Sequence, residues 1–170
     1  EIRTPGDMEN LKMRTYGDLQ MSLMRSLGAD PTQLSFSELY SALQTGAVDG
    51  NMNGYQTLWS GSLHEVQPYI TELNATLALY DFLVNEAEWN KLGPDTQELL
   101  QECADEAAAW GRNYMSSEEA KIKQDMIDYG VQVYVPTEEE LQAFKDAASS
   151  TIEEYKALVG EEACAAWGIQ

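Results

Sequence analysis

The chain has 170 residues, 44% of them hydrophobic, which is enough to bury a substantial core and argues against disorder. It carries 10 basic and 29 acidic residues, and the formal net charge of -19 opposes a phosphate backbone and excludes a nucleic-acid partner. No stretch approaches the roughly 18 consecutive apolar residues of a membrane helix, so the chain is not expected to span a bilayer. Residues 1–5 lack the pattern of a secretory signal, which favours a removed signal or an internal fragment.

The first predicted elements alternate between strand and helix. Residues 11–16 alternate in character and end at Gly17, which is typical of a short strand. A helix follows, with leucines on one face: Leu19, Leu23 and Leu27. Ser35 and Glu38 then match a Ser-x-x-Glu capping box, in which the hydroxyl and the carboxylate satisfy free amides of the first helical turn. They predict a second helix that ends near Gly46.

The middle of the chain is expected to contain a loop, a strand and one long helix. Residues 47–54 are rich in Gly, Asn and Asp and predict a brief strand that runs into a loop, where polar side chains can point into a cleft. Residues 76–84 are densely apolar, as in a strand buried on both faces. Pro94 can begin a helix of unusual length, with weak points at Gly111 and at residues 116–117, where a bend or break would be unsurprising. Its apolar positions recur at helical spacing: Leu99, Cys103, Ala107, Trp110, Tyr114, Ile122, Met126 and Tyr129.

The last segment repeats the order of strand and helix. Residues 131–135 predict a short strand, and Thr137 and Glu140 match another capping box. One helix follows and stops near Gly160. Its apolar face comprises Leu141, Phe144, Ala148, Ile152, Tyr155 and Val159. Strands that alternate with helices predict an α/β architecture with layered packing.

Residues that often serve in catalysis or metal binding occur here outside the usual motifs. Cys103 and Cys164 have no partners at metal-ligand spacing, which excludes a zinc site. They could pair as a disulfide in an oxidising compartment, or Cys103 could be a buried free thiol on its helix. His64, the only histidine, is expected at the surface, and the sequence contains neither a nucleophile elbow nor a phosphate loop.

Four segments resemble one family of transport proteins. Residues 11–14 read LKMR, residues 36–50 read FSELYSALQTGAVDG, residues 65–69 read EVQPY and residues 89–97 read WNKLGPDTQ. The second segment, a capped helix that runs directly into VDG, is close to a family signature. Together these segments resemble the DctP-type periplasmic solute-binding proteins of the tripartite ATP-independent periplasmic (TRAP) transporters.

The resemblance implies a fold and a domain organisation. The fold would be an α/β, type II-like lobe of a periplasmic binding protein, with helices flanking a mixed sheet and a long helix that crosses towards a second lobe. Residues 1–76 and 120–170 would form the C-terminal lobe. Residues 77–119 would cross to the N-terminal lobe, which is mostly absent from this chain.

The resemblance also implies which residues bind the ligand. In this family an arginine at the Arg14 position pairs with the carboxylate of the ligand, a role that suits its parallel donors and permanent charge. Asn53 would lie near the ligand as an amide donor, and Phe36 would offer it an apolar surface. Where many relatives read DGQENP, this chain has Met52 and Gly54, which argues against a metal-assisted site and leaves the substrate open.

Each candidate also has an ordinary structural interpretation. Without the neighbouring motifs, Arg14 would be a surface ion-pair partner, Asn53 a turn residue and Phe36 part of the core. Trp59 and Tyr16 could line the cleft, although such aromatic residues more often pack in a core. The motifs favour the ligand role most strongly for Arg14.

The resemblance therefore predicts a periplasmic or extracytoplasmic solute-binding protein that needs no cofactor and catalyses nothing. It would bind a small organic acid and deliver it to the membrane permease subunits of a TRAP transporter. An enzyme on an α/β scaffold is one alternative, but the sequence offers no identifiable nucleophile and base. A helical or α/β interaction domain without a small ligand is the other.

Overall fold

Two small parallel sheets organise the first of the two compact units in this chain. The computed structural model describes residues 1–76 and 80–166. The first unit comprises Glu1–Leu73 and Met126–Gln170, and the second comprises Asn74–Asp125.

Strands and helices alternate along the first unit, as the sequence predicts. Up to residue 73 they are a 3-10 turn (Pro5–Met8), β1 (Lys12–Thr15), α1 (Asp18–Ser26), β2 (Asp30–Gln33), α2 (Phe36–Gln44), β3 (Gly50–Asn51), α3 (Tyr55–Ser60), a second 3-10 turn (Leu63–Glu65) and β4 (Tyr69–Thr71). The second unit contains α4 (Glu86–Trp89) and most of α5 (Pro94–Tyr129). The chain then forms β5 (Gln132–Tyr134), α6 (Glu138–Ala147), α7 (Ser149–Val159) and α8 (Glu161–Ala166).

The central strand of the three-stranded sheet is β1, with β2 on one side and β3 on the other. Arg14 is in register with Thr32 of β2 and with Asn51 of β3. The second sheet pairs β4 with β5. All of these pairings are parallel, so the α/β class is confirmed but the described strands do not form the mixed sheet that was expected. Helical crossovers, unlike hairpins, return the chain in the same direction.

Met13 and Gly50 fix which side chains share a face of the sheet. A Cβ atom on Gly50 would lie 2.8 Å from Sδ of Met13, so the Met13 side chain occupies the space over Gly50 that a side chain at position 50 would take. Met13 belongs to a buried cluster formed by Met8, Met13, Met24, Leu27, Ala29 and Phe144. Because successive side chains alternate between faces, Arg14 and Asn51 project from the opposite face.

The two predicted capping boxes have different outcomes. At α6 the backbone N–H of Thr137 donates to Glu140 Oε2 at 2.7 Å, and the N–H of Glu140 donates to Thr137 Oγ1 at 3.3 Å, which confirms that box. At α2 the helix forms as predicted, but the Ser35 hydroxyl makes no capping hydrogen bond. It donates instead to the carboxylate of Glu38, so the reciprocal box is wrong there.

The long helices also differ from expectation in one place. The structure divides the single helix predicted after Thr137 into α6 and α7, with Ala148 as the cap between them. Two serines follow Ala148, and serine side chains compete with the helical backbone for hydrogen bonds. By contrast, α5 is continuous over 36 residues, through Gly111 and the serine pair at 116–117.

The apolar run at 76–84 does not form the predicted buried strand in its described part. Residues 77–79 lie outside the described residues, and 80–84 are irregular and exposed, with Tyr80 92% and Leu83 91% exposed. A strand needs a neighbour for its backbone hydrogen bonds, and no described strand pairs with this segment.

The cysteines and the hydropathy of the helices complete the comparison with the predicted elements. Cys103 is exposed rather than buried, Cys164 is buried, and both are free thiols. Within the described ranges, no helix has the length and apolar character needed to cross a membrane.

Candidate functional site

The predicted site residues lie at the carboxyl edge of the three-stranded sheet. Arg14 is near the end of β1, Phe36 is the first residue of α2, and Asn53 lies between β3 and α3. Because the three strands are parallel, the chain leaves all of them at one edge, where α1 and α2 begin. Helix N-termini present free N–H groups and the positive end of the helix dipole. This edge therefore favours a negatively charged ligand.

Arg14 is a buried cation, with 5% of its surface exposed. Its Nε donates a hydrogen bond to the carbonyl oxygen of Leu34 at 2.9 Å, and its Cζ lies 5.3 Å from the centre of the Tyr16 ring. Burial lowers the pKa of the Arg14 guanidinium, an effect that the nearby Tyr16 phenol partly opposes. Arginine nevertheless remains protonated at any physiological pH.

No carboxylate neutralises this charge in the part of the chain that the structure describes. Neither Nη group of Arg14 donates a hydrogen bond to a described residue, and none of the described carboxylates forms a salt bridge with it. The alternative of a surface ion pair is therefore wrong for Arg14. A buried guanidinium with two unengaged amino groups is suited to a bidentate contact with an external carboxylate.

Asn53 belongs to a row of three side-chain amides, which we call the amide row: Asn53, Asn51 and Gln67. The Nδ2 group of Asn53 donates to Oδ1 of Asn51 at 2.6 Å, and Nδ2 of Asn51 donates to Oε1 of Gln67. All three residues are half-buried. Since Asn51 is the register partner of Arg14, the amide row lies beside the arginine across the sheet.

Two members of the amide row were missed at the sequence level. Asn51 follows the VDG signature directly, and Gln67 lies within EVQPY, so both occur in segments that resemble the family. The two residues are 16 positions apart. Nothing in their spacing shows that they meet, because the contact depends on how the turn after α3 returns the chain to β3.

Phe36 is 44% exposed and is not a core residue. The tip of its ring packs against the backbone at Gly61, where a Cβ atom would lie 2.9 Å from Cζ of Phe36. This contact covers one part of the ring and leaves the rest accessible at the sheet edge. Tyr16, whose ring lies near Arg14, is also exposed, at 61%.

The other aromatic candidate and the histidine form a separate stack. The rings of Trp59 and His64 are 4.4 Å apart and nearly parallel, and Tyr129 meets His64 edge-on at 4.9 Å. His64 is therefore half-buried rather than the solvated surface histidine that was expected. Met52, which stands where the family resemblance implies an acidic residue, packs against the buried cluster around Met13.

Comparison with known proteins finds a matching family and several similar proteins. The bacterial extracellular solute-binding proteins, family 7 (DctP), match residues 1–158 of the chain. The C4-dicarboxylate-binding periplasmic protein DctP of Rhodobacter capsulatus is 32% identical over 167 residues, which cover 97% of this chain and 50% of that protein. The 2,3-diketo-L-gulonate-binding periplasmic protein YiaO of Escherichia coli is 28% identical over 152 residues, which cover 89% of this chain and 46% of that protein.

A solved structure supports the same relationship. A TRAP periplasmic solute-binding protein from Shewanella oneidensis, with bound succinate, superposes with a TM-score of 0.83 at 27% identity. The match covers 95% of this chain and 53% of the solved chain. The chain therefore spans about half the length of the relatives that it matches.

Proposed function

Because the chain belongs to family 7 of the bacterial extracellular solute-binding proteins, we propose that it supplies the arginine-bearing wall of a receptor for a small organic carboxylate. Arg14 binds the carboxylate through its Nη groups, Asn53 contributes an amide, and Phe36 covers an apolar part of the ligand. Relatives named for C4-dicarboxylate and for 2,3-diketo-L-gulonate, and a solved relative that holds succinate, support a carboxylate as the common chemical group.

The observation that carries this proposal is the unneutralised charge of Arg14. A buried ion without a partner is strongly unfavourable, so a protein retains one only where something else provides the counter-charge. The net charge of -19 does not oppose an anionic ligand here, because exposed charges more than about 8 Å away are screened by physiological salt. A bidentate contact in a dehydrated site is screened far less.

The site supports binding rather than catalysis. Its side chains are a guanidinium, three amides and an aromatic ring, none of which is a nucleophile or a base near neutral pH. We therefore propose a receptor in the periplasm that releases its ligand to the membrane permease of a TRAP transporter. Residues 1–76 and 120–170 would form one lobe of this receptor, and residues 77–119 would contribute to the other.

A ligand screen of the full-length protein tests this function. Small organic acids should raise the melting temperature, because a ligand that binds only the folded state stabilises it by mass action. Titration calorimetry of the hits should then show that Arg14→Ala weakens binding by about 2–5 kcal/mol, or roughly 30- to 4,000-fold. The matched control is Arg25→Ala, because Arg25 is exposed in the last turn of α1.

Two results would contradict the proposal. If Arg14→Ala binds as tightly as the unmodified protein, Arg14 does not hold the carboxylate. If no acid in a broad panel changes the melting temperature, the alternative of an interaction domain without a small ligand is favoured.

A further inference from the structure

We propose that the amide row selects a hydroxylated carboxylate, with Gln67 as the residue that positions the other two amides. This inference rests on the proposed function, because it concerns the part of the ligand next to the carboxylate held by Arg14. It assigns the ligand to the hydroxy acids, sugar acids included, rather than to plain mono- or dicarboxylates.

The hydrogen bonds along the amide row all run in one direction. Each NH₂ group donates to the next carbonyl oxygen, from Asn53 to Asn51 and from Asn51 to Gln67. Rotating the middle amide alone would bring two NH₂ groups together at one end and two oxygens together at the other. The three orientations are therefore coupled, and the acceptor on Gln67 determines how Asn53 presents itself.

The amide row retains hydrogen-bond donors and an acceptor that no described residue uses. Asn53 Oδ1 accepts no hydrogen bond from any residue in the described ranges, while one hydrogen on each NH₂ group of Asn51 and Asn53 is also uncommitted. The row thus offers both donors and acceptors, and it carries no charge. A hydroxyl group can donate and accept, whereas a second carboxylate can only accept and would face the oxygen of Asn53.

The amide row lies next to Arg14 in the sheet. Asn51 is the register partner of Arg14, and neighbouring strands lie about 4.8 Å apart. A ligand whose carboxylate contacts Arg14 and whose hydroxyl contacts Asn51 would therefore carry the two groups within a few bonds of each other. The burial of the row adds selectivity, because a half-buried amide left unpaired by a ligand without the hydroxyl loses its hydrogen bond to water as well.

Pairs of acids that differ by one hydroxyl test the inference directly in the full-length protein. Suitable probes are lactate against propionate, L-malate against succinate, and D-gluconate against 2-deoxy-D-gluconate, with affinities measured by calorimetry. We expect the hydroxylated member to bind at least about tenfold more tightly in one or more pairs, as a single well-made hydrogen bond allows. The ratio within a pair cancels the shared contribution of the carboxylate.

Substitutions at Gln67 then test its positioning role. Gln67→Leu removes the acceptor for Asn51 and should bring the ratio to within about twofold of one. Gln67→Glu keeps an acceptor at the same place and should retain the ratio, even if its charge weakens both acids equally. Gln44→Leu is the matched control, because Gln44 is exposed at the far end of α2.

The outcomes separate this inference from the function on which it rests. If acids bind but each hydroxylated and plain pair binds equally, or if Gln67→Leu leaves the ratio unchanged, the selection by the amide row is wrong and the receptor function stands. If Gln67→Glu abolishes the ratio, the polarity of the row is the reverse of that proposed. If no acid binds at all, both proposals fail.

Discussion

The unneutralised charge of Arg14 leads to a prediction about stability that differs from the prediction about binding. Replacing Arg14 by methionine keeps much of its length and removes the charge. If the guanidinium serves a ligand and not the fold, the variant without ligand should be more stable to unfolding than the unmodified protein. An arginine that holds the structure together would give the opposite result.

The magnitude follows from the contacts of Arg14. Methionine loses one hydrogen bond, from Nε to the Leu34 carbonyl at 2.9 Å, which contributes about 1.5–3 kcal/mol for a charged donor. It also removes the desolvation penalty of a cation that is 5% exposed, which is several kcal/mol for a buried ion. With no carboxylate among the described residues to offset that penalty, we expect a net gain of about 1–3 kcal/mol in the free energy of unfolding.

Urea unfolding of the full-length protein without ligand is the appropriate assay. The midpoint should rise while the slope stays constant, because only a constant slope allows the shift to be attributed to stability. Arg25→Met is the matched control and should change the free energy of unfolding by less than about 0.5 kcal/mol, since Arg25 is exposed. A loss of more than about 1 kcal/mol in Arg14→Met would show that Arg14 is structural.

Two further predictions concern α6 and α2. Thr137→Ala should lower the free energy of unfolding by about 1 kcal/mol because it removes a formed capping box, whereas Ser35→Ala should have a clearly smaller effect because that hydroxyl caps nothing; both are measured by urea unfolding. Hydrogen bonds from the Tyr134 hydroxyl and, to a smaller extent, from the N–H of Thr137 lower the pKa of Glu140 in the folded protein. The ionised Glu140 therefore stabilises the fold at pH values above its unfolded pKa of about 4.3. This contribution is lost as the pH falls through the lower pKa of the folded state. The stability difference between Glu140→Gln and the unmodified protein should therefore shrink as the pH falls below the unfolded pKa, and a difference that is constant with pH would contradict this explanation.

The sequence predicted those elements whose signals are local. The strand at 11–16, the helix after it and the box at Thr137 depend on residues within a few positions of one another, and the structure confirms them. The box at Ser35 shows the limit of this approach. Its motif follows the same pattern as the one at Thr137, but the Ser35 hydroxyl donates a hydrogen bond to the Glu38 carboxylate instead of capping the helix. The sequence motif alone does not distinguish a formed capping box from this side-chain hydrogen bond.

Elements that depend on distant partners could not be predicted in the same way. The strand β2 has the sequence DPTQ, which carries no strand signal, and it forms because it pairs with β1 at an edge of the sheet, where Pro31 is tolerated. The apolar run at 80–84 has the opposite character. Its hydrophobicity indicates that it should be buried, but it contains no information about which part of a protein would cover it.

The same distinction applies to the site. The family motif pointed to Arg14 and Asn53, and the chemistry of a guanidinium justified the first. The contact between Asn51 and Gln67 became visible only when the fold brought β3 and the segment after α3 together. Burial of Arg14 without a counter-charge was also not predictable, because the sequence contains 29 acidic residues and does not show that none of the described ones lies beside it.

Ligand binding should reverse the stability order that the methionine variant establishes. A ligand at 100 times its dissociation constant stabilises the folded protein by about 2.7 kcal/mol, which equals or exceeds most of the gain expected for Arg14→Met. The unmodified protein should therefore melt below Arg14→Met without ligand and approach or pass it as a bound hydroxy acid becomes saturating, while the variant responds little. Two melting curves that rise in parallel with ligand concentration would show that the acid binds elsewhere, because a ligand can favour the arginine form only by interacting with the arginine.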